Sequence, residues 1–159
     1  MATLSNRKPE LRAQFIRAYL ELDMLADARE ELAQFTTEER TRLDVLDAGL
    51  EFATRLRDWA QVVDLGEKLA RGFPEFEGGW IGWAYALREL QRIEEARAVL
   101  LEAEPLHGKR SAVLHYNLAC YHALLGELDI ARERLRRACK LAPKFKQEAL
   151  ADPDLAALR

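Results

Sequence analysis

The chain is 159 residues long, 49% apolar and 32% charged, enough to bury one core, or one short array of repeats, and stay in solution. Its formal net charge of -3 shows no basic excess of the kind that holds phosphates, so nucleic acid is not an expected partner. Two cysteines, Cys120 and Cys139, are too few for a disulfide framework and point to a reduced, cytoplasmic protein.

The first stretch, MATLSNRKPELRAQFI, has neither a long apolar segment nor a small-residue cleavage pattern. No apolar run approaches the ~20 residues of a spanning helix, so neither secretion nor a membrane is expected. Phe15, Ile16 and Tyr19 then recur at helical spacing, and beyond Asp23 a second helical pattern runs through Ala28, Leu32 and Phe35. Thr36 and Glu39 have capping-box spacing and are expected to open the third helix. The two-part unit then returns three times. Its second helices carry Val62, Gly66, Leu69 and Pro74, then Ala96, Leu100 and Ala103, then Ala131, Leu135, Ala138 and Pro143. The anchors Ala28, Val62, Ala96 and Ala131 follow one another at steps of 34, 34 and 35 residues. A small or otherwise modest side chain is needed there, because helix backbones approach closely only where nothing bulky intervenes. Turn residues divide each unit, at Asp23, Arg57 and Asp58, Gln91 and Arg92, and Gly126. The joint EAEPLHGKRSA is longer than the others and accounts for the 35-residue step. After Pro143, Phe145, Ala149 and Leu150 give a last helical pattern. Asp152 is placed to cap a helix with Pro153 at its first position, turning Leu155 and Leu158 inward.

This pattern resembles the tetratricopeptide repeats (TPR), whose unit is a 34-residue helix-turn-helix. The stretch YNLACYHALLGELDIARERLRRACKLAP matches through Leu118, Ala119, Gly126, Ala131, Leu135, Ala138 and Pro143. WIGWAYALRELQRIEEARAVLLEA matches through Trp80, Ala84, Ala96, Leu100 and Ala103. The second unit departs from the pattern, with Gly66 where the family places a large residue and Val62 at the anchor, and the first lacks the closing proline. The resemblance implies a single all-α domain over 1–159. It would be a short right-handed solenoid of four repeats (about 9–40, 43–74, 77–106 and 112–143) with a capping segment over 144–159. Such an array needs a cap, since its last unit otherwise exposes an apolar face.

The stretch HYNLACYH concentrates the side chains that chemistry would use. A zinc site needs three or four converging ligands. His115 and His122 are two helical turns and about 10 Å apart, and Cys120 points elsewhere. In the repeat register both histidines occupy packing positions, those of Trp80 and of Leu87 and Tyr19, and are expected to be core histidines with satisfied nitrogens. Cys120 and His122 lie two apart on a helix and cannot form a nucleophile–base pair. No phosphate loop or nucleophile elbow is present. The expectation is a protein that is not an enzyme and has no metal or cofactor. The rival is a metal-dependent hydrolase using His115, Cys120 and His122.

The resemblance further implies that the first helices of successive units line a concave groove for a peptide or helix of a partner protein. In this register the groove residues are Arg17 and Glu51 in the first half, with Gln14 and Asp47 beside them. In the second half they are Ile81, Gly82, Tyr85, Arg88, Tyr116, Asn117 and Cys120. Tyr85 and Tyr116 are the expected anchors, Gly82 is expected to make room for a ligand backbone, and Asn117 resembles the asparagine with which many TPR proteins grip a peptide. The clamp that holds chaperone C-termini is not matched, because only Arg17 among the corresponding Ala13, Arg17, Ala48, Gly78 and Gly82 is basic. A role as a small secretion chaperone is an alternative suggested by size and acidity. Charge is uneven: residues 1–70 hold ten basic and fourteen acidic residues, and 127–146 hold seven and three. Arg134 and Arg137 are expected on a solvated convex face, with self-association through the opposite charges as a further possibility.

Overall fold

A computed structural model describes residues 8–159; residues 1–7, the start of the stretch read for a signal, lie outside it. Among the described residues there are nine α-helices, two 3-10 turns and no strand. The helices pair as α1 (Pro9–Glu21) with α2 (Leu25–Ala33), α3 (Leu43–Arg55) with α4 (Trp59–Gly72), α5 (Glu77–Glu89) with α6 (Ile93–His107), and α7 (Ala112–Leu124) with α8 (Leu128–Leu141). A short α9 (Phe145–Ala151) and a 3-10 turn (Pro153–Leu158) close the array. No helix is long and apolar enough to cross a membrane.

Each pair turns at one residue with a left-handed backbone: Asp23 (φ 58°), Arg57 (φ 55°), Gln91 (φ 61°) and Gly126 (φ 80°). The next N–H reaches back five residues to close the helix, from Met24 to Tyr19, Asp58 to Ala53, Arg92 to Leu87 and Glu127 to His122, at 2.8–2.9 Å. These are four copies of the Schellman closure. Only the last uses glycine, the residue that adopts this conformation without a Cβ penalty. Gln91→Gly is therefore expected to raise stability by about 1 kcal/mol, read as a melting temperature a few degrees higher. An unchanged or lower melting temperature would show that the Gln91 side chain compensates for its own backbone.

The anchors Ala28, Val62, Ala96 and Ala131 are all buried, as the period requires. Gly66 is explained by the neighbouring helix. A Cβ on Gly66 would lie 2.8 Å from the N, Cα and Cβ of Trp83, and one on Gly79 would lie 2.7 Å from the Leu69 Cβ. The two glycines thus let α4 and α5 approach reciprocally, with the Trp83 backbone standing where a side chain at 66 would begin, and the indoles of Trp80 and Trp83 stack at 6.3 Å.

Three local expectations change. The Thr36–Glu39 capping box forms in both directions, at 2.9 and 3.2 Å, but opens the 3-10 turn Glu39–Thr41, and α3 begins only at Leu43. The joint before the last pair is shorter than its composition suggested, because α6 runs through Pro105 to His107. Near the end of a helix proline costs one hydrogen bond and need not stop the chain. At the C-terminus Asp152 does cap, accepting from the Asp154 N–H at 2.9 Å, and Leu155 is buried, but the element is a 3-10 turn and Leu150 faces solvent.

Candidate functional site

The first helices form one row: α1 packs on α3, α3 on α5, α5 on α7, and α7 on the C-terminal 3-10 turn. The second helices barely touch one another. The inner row is thus the tighter one, and its open side is the groove.

The first half of the groove is self-neutralised. Arg17 pairs with Asp47 and lies 3.7 Å from Glu51, and Arg42 bonds Glu10 at 2.6 Å. In the middle, Gly82 faces α3, where an added Cβ would sit 3.0 Å from Leu50 Cδ1. Its small size serves the packing of α5 on α3 rather than opening space for a ligand backbone. Gly78 is likewise covered, by the ring of Phe76. Ile81 is half-buried against the core, and Tyr85 stands 44% exposed with its ring edge-on to Trp59 at 5.7 Å. Asn117 is half-buried on α7 across from it.

The second half is where the structure departs from the sequence reading. Tyr116 and Cys120 are buried and are not open anchors. Phe145 stacks on the Tyr116 ring (4.5 Å, 23°), and the Tyr116 hydroxyl donates to Asp152 at 2.7 Å. The Cys120 thiol donates to the same carboxylate at 3.7 Å. Arg88 reaches across α7 to grip both oxygens of Asp154, through Nε at 2.8 Å and through its terminal nitrogen, and bonds Glu89 at 2.8 Å as well. A chain segment with two carboxylates therefore lies along α7 and is held as a ligand would be. Bonding to Asp154 raises the Arg88 pKa further, so it stays charged. Burial pushes the Cys120 thiol and the Tyr116 and Tyr121 phenols far up, and Asp152 adds to the first two. What remains open is a polar recess of about 270 Å³ between Tyr85, Arg88, Asn117 and the two aspartates, beside the buried, unpartnered hydroxyl of Tyr121.

Neither histidine takes part. His115 Nε2 bonds the Gly108 carbonyl at 2.8 Å and Nδ1 faces Arg134 at 3.2 Å, a satisfied core histidine as expected. His122 bonds Glu127 through Nδ1, but its buried Nε2 has no partner, so it is only half satisfied. The side chains that do converge are Cys120, Asp152 and Asp154, with ligand atoms within 4.8 Å of one another. Arg88 already neutralises Asp154, and the thiol is held protonated by burial, so this cluster is a closed network rather than a thiolate ligand set. On the back of the array, Arg134 is not the solvated charge its sequence context suggested. It is largely covered, forks onto Glu104 and holds that carboxyl below its usual range. Arg137 is exposed and pairs with Glu133 at 3.3 Å.

Helix pairs at a 34-residue period, closed by identical left-handed turns and lined on one side by first helices, define the TPR fold. Solved structures carry the same likeness. TTC0263, a thermophilic TPR protein in Thermus thermophilus, matches with a TM-score of 0.74 and 22% identity over 95% of this chain and 81% of its own. MamA from Desulfovibrio magneticus RS-1 matches with 0.73 and 19%, over 88% and 80%. YrrB, described as a TPR protein with an unusual peptide-binding site, matches with 0.69 and 13%, over 92% and 80%. No family model matches the chain, and neither does any curated protein sequence.

Proposed function

We propose that the chain is a non-enzymatic protein-interaction module that holds a peptide or helical segment of a partner in the middle of its concave groove. The TPR fold is typically used for protein–protein interaction, and the observation that carries the reading here is Tyr85. It projects into solvent from α5, braced by Trp59 and flanked by half-buried Ile81 and Asn117. A rigid aromatic with a polar tip and a preorganised base is what an interface anchor requires. With Tyr116 and Cys120 covered, the binding surface is narrower than the sequence list and centres on Ile81, Tyr85, Asn117 and the outer edge of Arg88.

The test is to recover a partner by affinity capture from the native cell and to titrate it by calorimetry. Tyr85→Ala should weaken binding by about 2 kcal/mol, roughly 30-fold, with helicity unchanged. Lys68→Glu, on the outer helix α4, should bind as wild type does. Normal binding by the Tyr85 variant would move the site elsewhere.

A further inference from the structure

The two ends of the array carry surfaces that the groove does not use. At the C-terminal end, α8, α9 and the last 3-10 turn enclose a cleft of about 490 Å³. Its floor is apolar, with Leu135, Cys139 and Leu158, and Leu150 stands over it 66% exposed. Its rim is basic: Arg132, Arg136, Lys146 and Arg159, with no carboxylate side chain in the lining. Among the described residues Arg132 and Arg136 pair only with exposed carboxylates one turn away on their own helix, Asp129 at 3.1 Å and Glu133 at 2.8 Å. Such pairs are worth little and exchange readily. Lys146 and Arg159 have no carboxylate side chain within ion-pair distance among the described residues.

The other end is its complement. α1 buries Arg12, Ala13, Ile16 and Leu20 against its neighbours, and its opposite face presents Leu11, Ala18 and Leu22 at spacings of seven and four. Leu22 is 70% exposed, and Met24 beyond it is exposed too. Around this stripe the exposed charges of α1, α2 and their turn are mostly acidic: Glu21, Asp27 and Glu30 have no ion-pair partner among the described residues, Glu10 pairs with Arg42 and Asp23 lies 3.9 Å from Arg55, against Lys8 and Arg29.

We propose that these end faces bind each other, so that α1 of a second copy lies in the C-terminal cleft of the first and the chain associates head to tail. An apolar helical stripe meets an apolar cleft, and an acidic border meets a basic rim. The contact joins unlike surfaces, so one free face of each kind remains and association continues beyond the dimer. The surface is small and its rim charges exposed, which makes the association weak and sensitive to salt.

Sedimentation velocity from micromolar to millimolar protein, at ~0.05 and ~0.5 M salt, tests this. Wild type should gain mass with concentration at the lower salt and lose it at the higher. Leu22→Glu, which spoils the front, and the pair Arg136→Glu with Lys146→Glu, which spoils the back, should each be monomeric and as helical as wild type, since all three side chains are exposed. Mixed together, they should form a species that stops at two copies, because one intact front then meets one intact back. Tyr85→Ala should associate as wild type does, which separates this contact from the groove. A wild type that stays monomeric at low salt overturns the proposal and leaves the cleft to an acidic helix of another protein. A mixture that stays monomeric, or single-face variants that associate normally, overturns it as well.

Discussion

Arg12→Ala is expected to lower the free energy of unfolding by about 3–5 kcal/mol, the range for removing one partner of a buried ion pair. The pair is Arg12 with Glu31, joining α1 to α2, and both side chains are only 3% exposed. Arg12 Nε donates to Glu31 Oε1 at 2.6 Å, the guanidinium lies 4.2 Å from the Phe35 ring centroid, and Glu39 stands 3.7 Å away. Without Arg12, the Glu31 carboxylate is left buried with no other cation paired to it among the described residues. A loss of this size is a large part of the stability of an ordinary domain. Urea titration reads it directly. Replacing both partners together, Arg12→Met with Glu31→Leu, should come within about 1–2 kcal/mol of wild type or exceed it, because the desolvation cost disappears along with the attraction. A double variant as unstable as the single one would show that the shape of the pair, not its charge, holds α1 on α2.

Gly66→Ala sets two effects of opposite sign against each other. Within a helix, alanine is favoured over glycine by about 1 kcal/mol. At this position, however, the new Cβ would meet the Trp83 backbone at 2.8 Å, and backbone cannot move aside as the end of a side chain can. Overpacking of this kind costs about 1–3 kcal/mol, so a net loss is expected, with larger side chains worse still. Gly72→Ala, at the end of the same helix, is the matched control. A Cβ there meets nothing within 4 Å, and stability should rise by up to about 1 kcal/mol. Thermal melts of the two variants should move in opposite directions. A gain at both positions would mean that α5 can retreat from α4 at little cost, and that the close approach is not what holds the middle of the array.

What the sequence determined by itself is what repeats. A 34-residue period, small or modest residues at Ala28, Val62, Ala96 and Ala131, and turn residues at Asp23, Arg57, Gln91 and Gly126 specify helix pairs through local geometry and nearest-neighbour packing. Each copy supports the others, so four helix pairs and a closing segment were legible. The burial of both histidines also followed from register alone. Tertiary structure decided what does not repeat. Tyr116 meets Asp152 across 36 residues, and Arg88 meets Asp154 across 66, because a tail with no counterpart in the period lies along α7 and buries Tyr116 and Cys120. Arg12 and Glu31 look in sequence like ordinary surface charges, and only the contact of α1 with α2 shows them sealed from water. Arg134 looks equally solvated until Glu104 and His115 close on it. Periodicity places residues on faces. Which faces are then covered depends on long-range contacts whose partners stand at no fixed spacing.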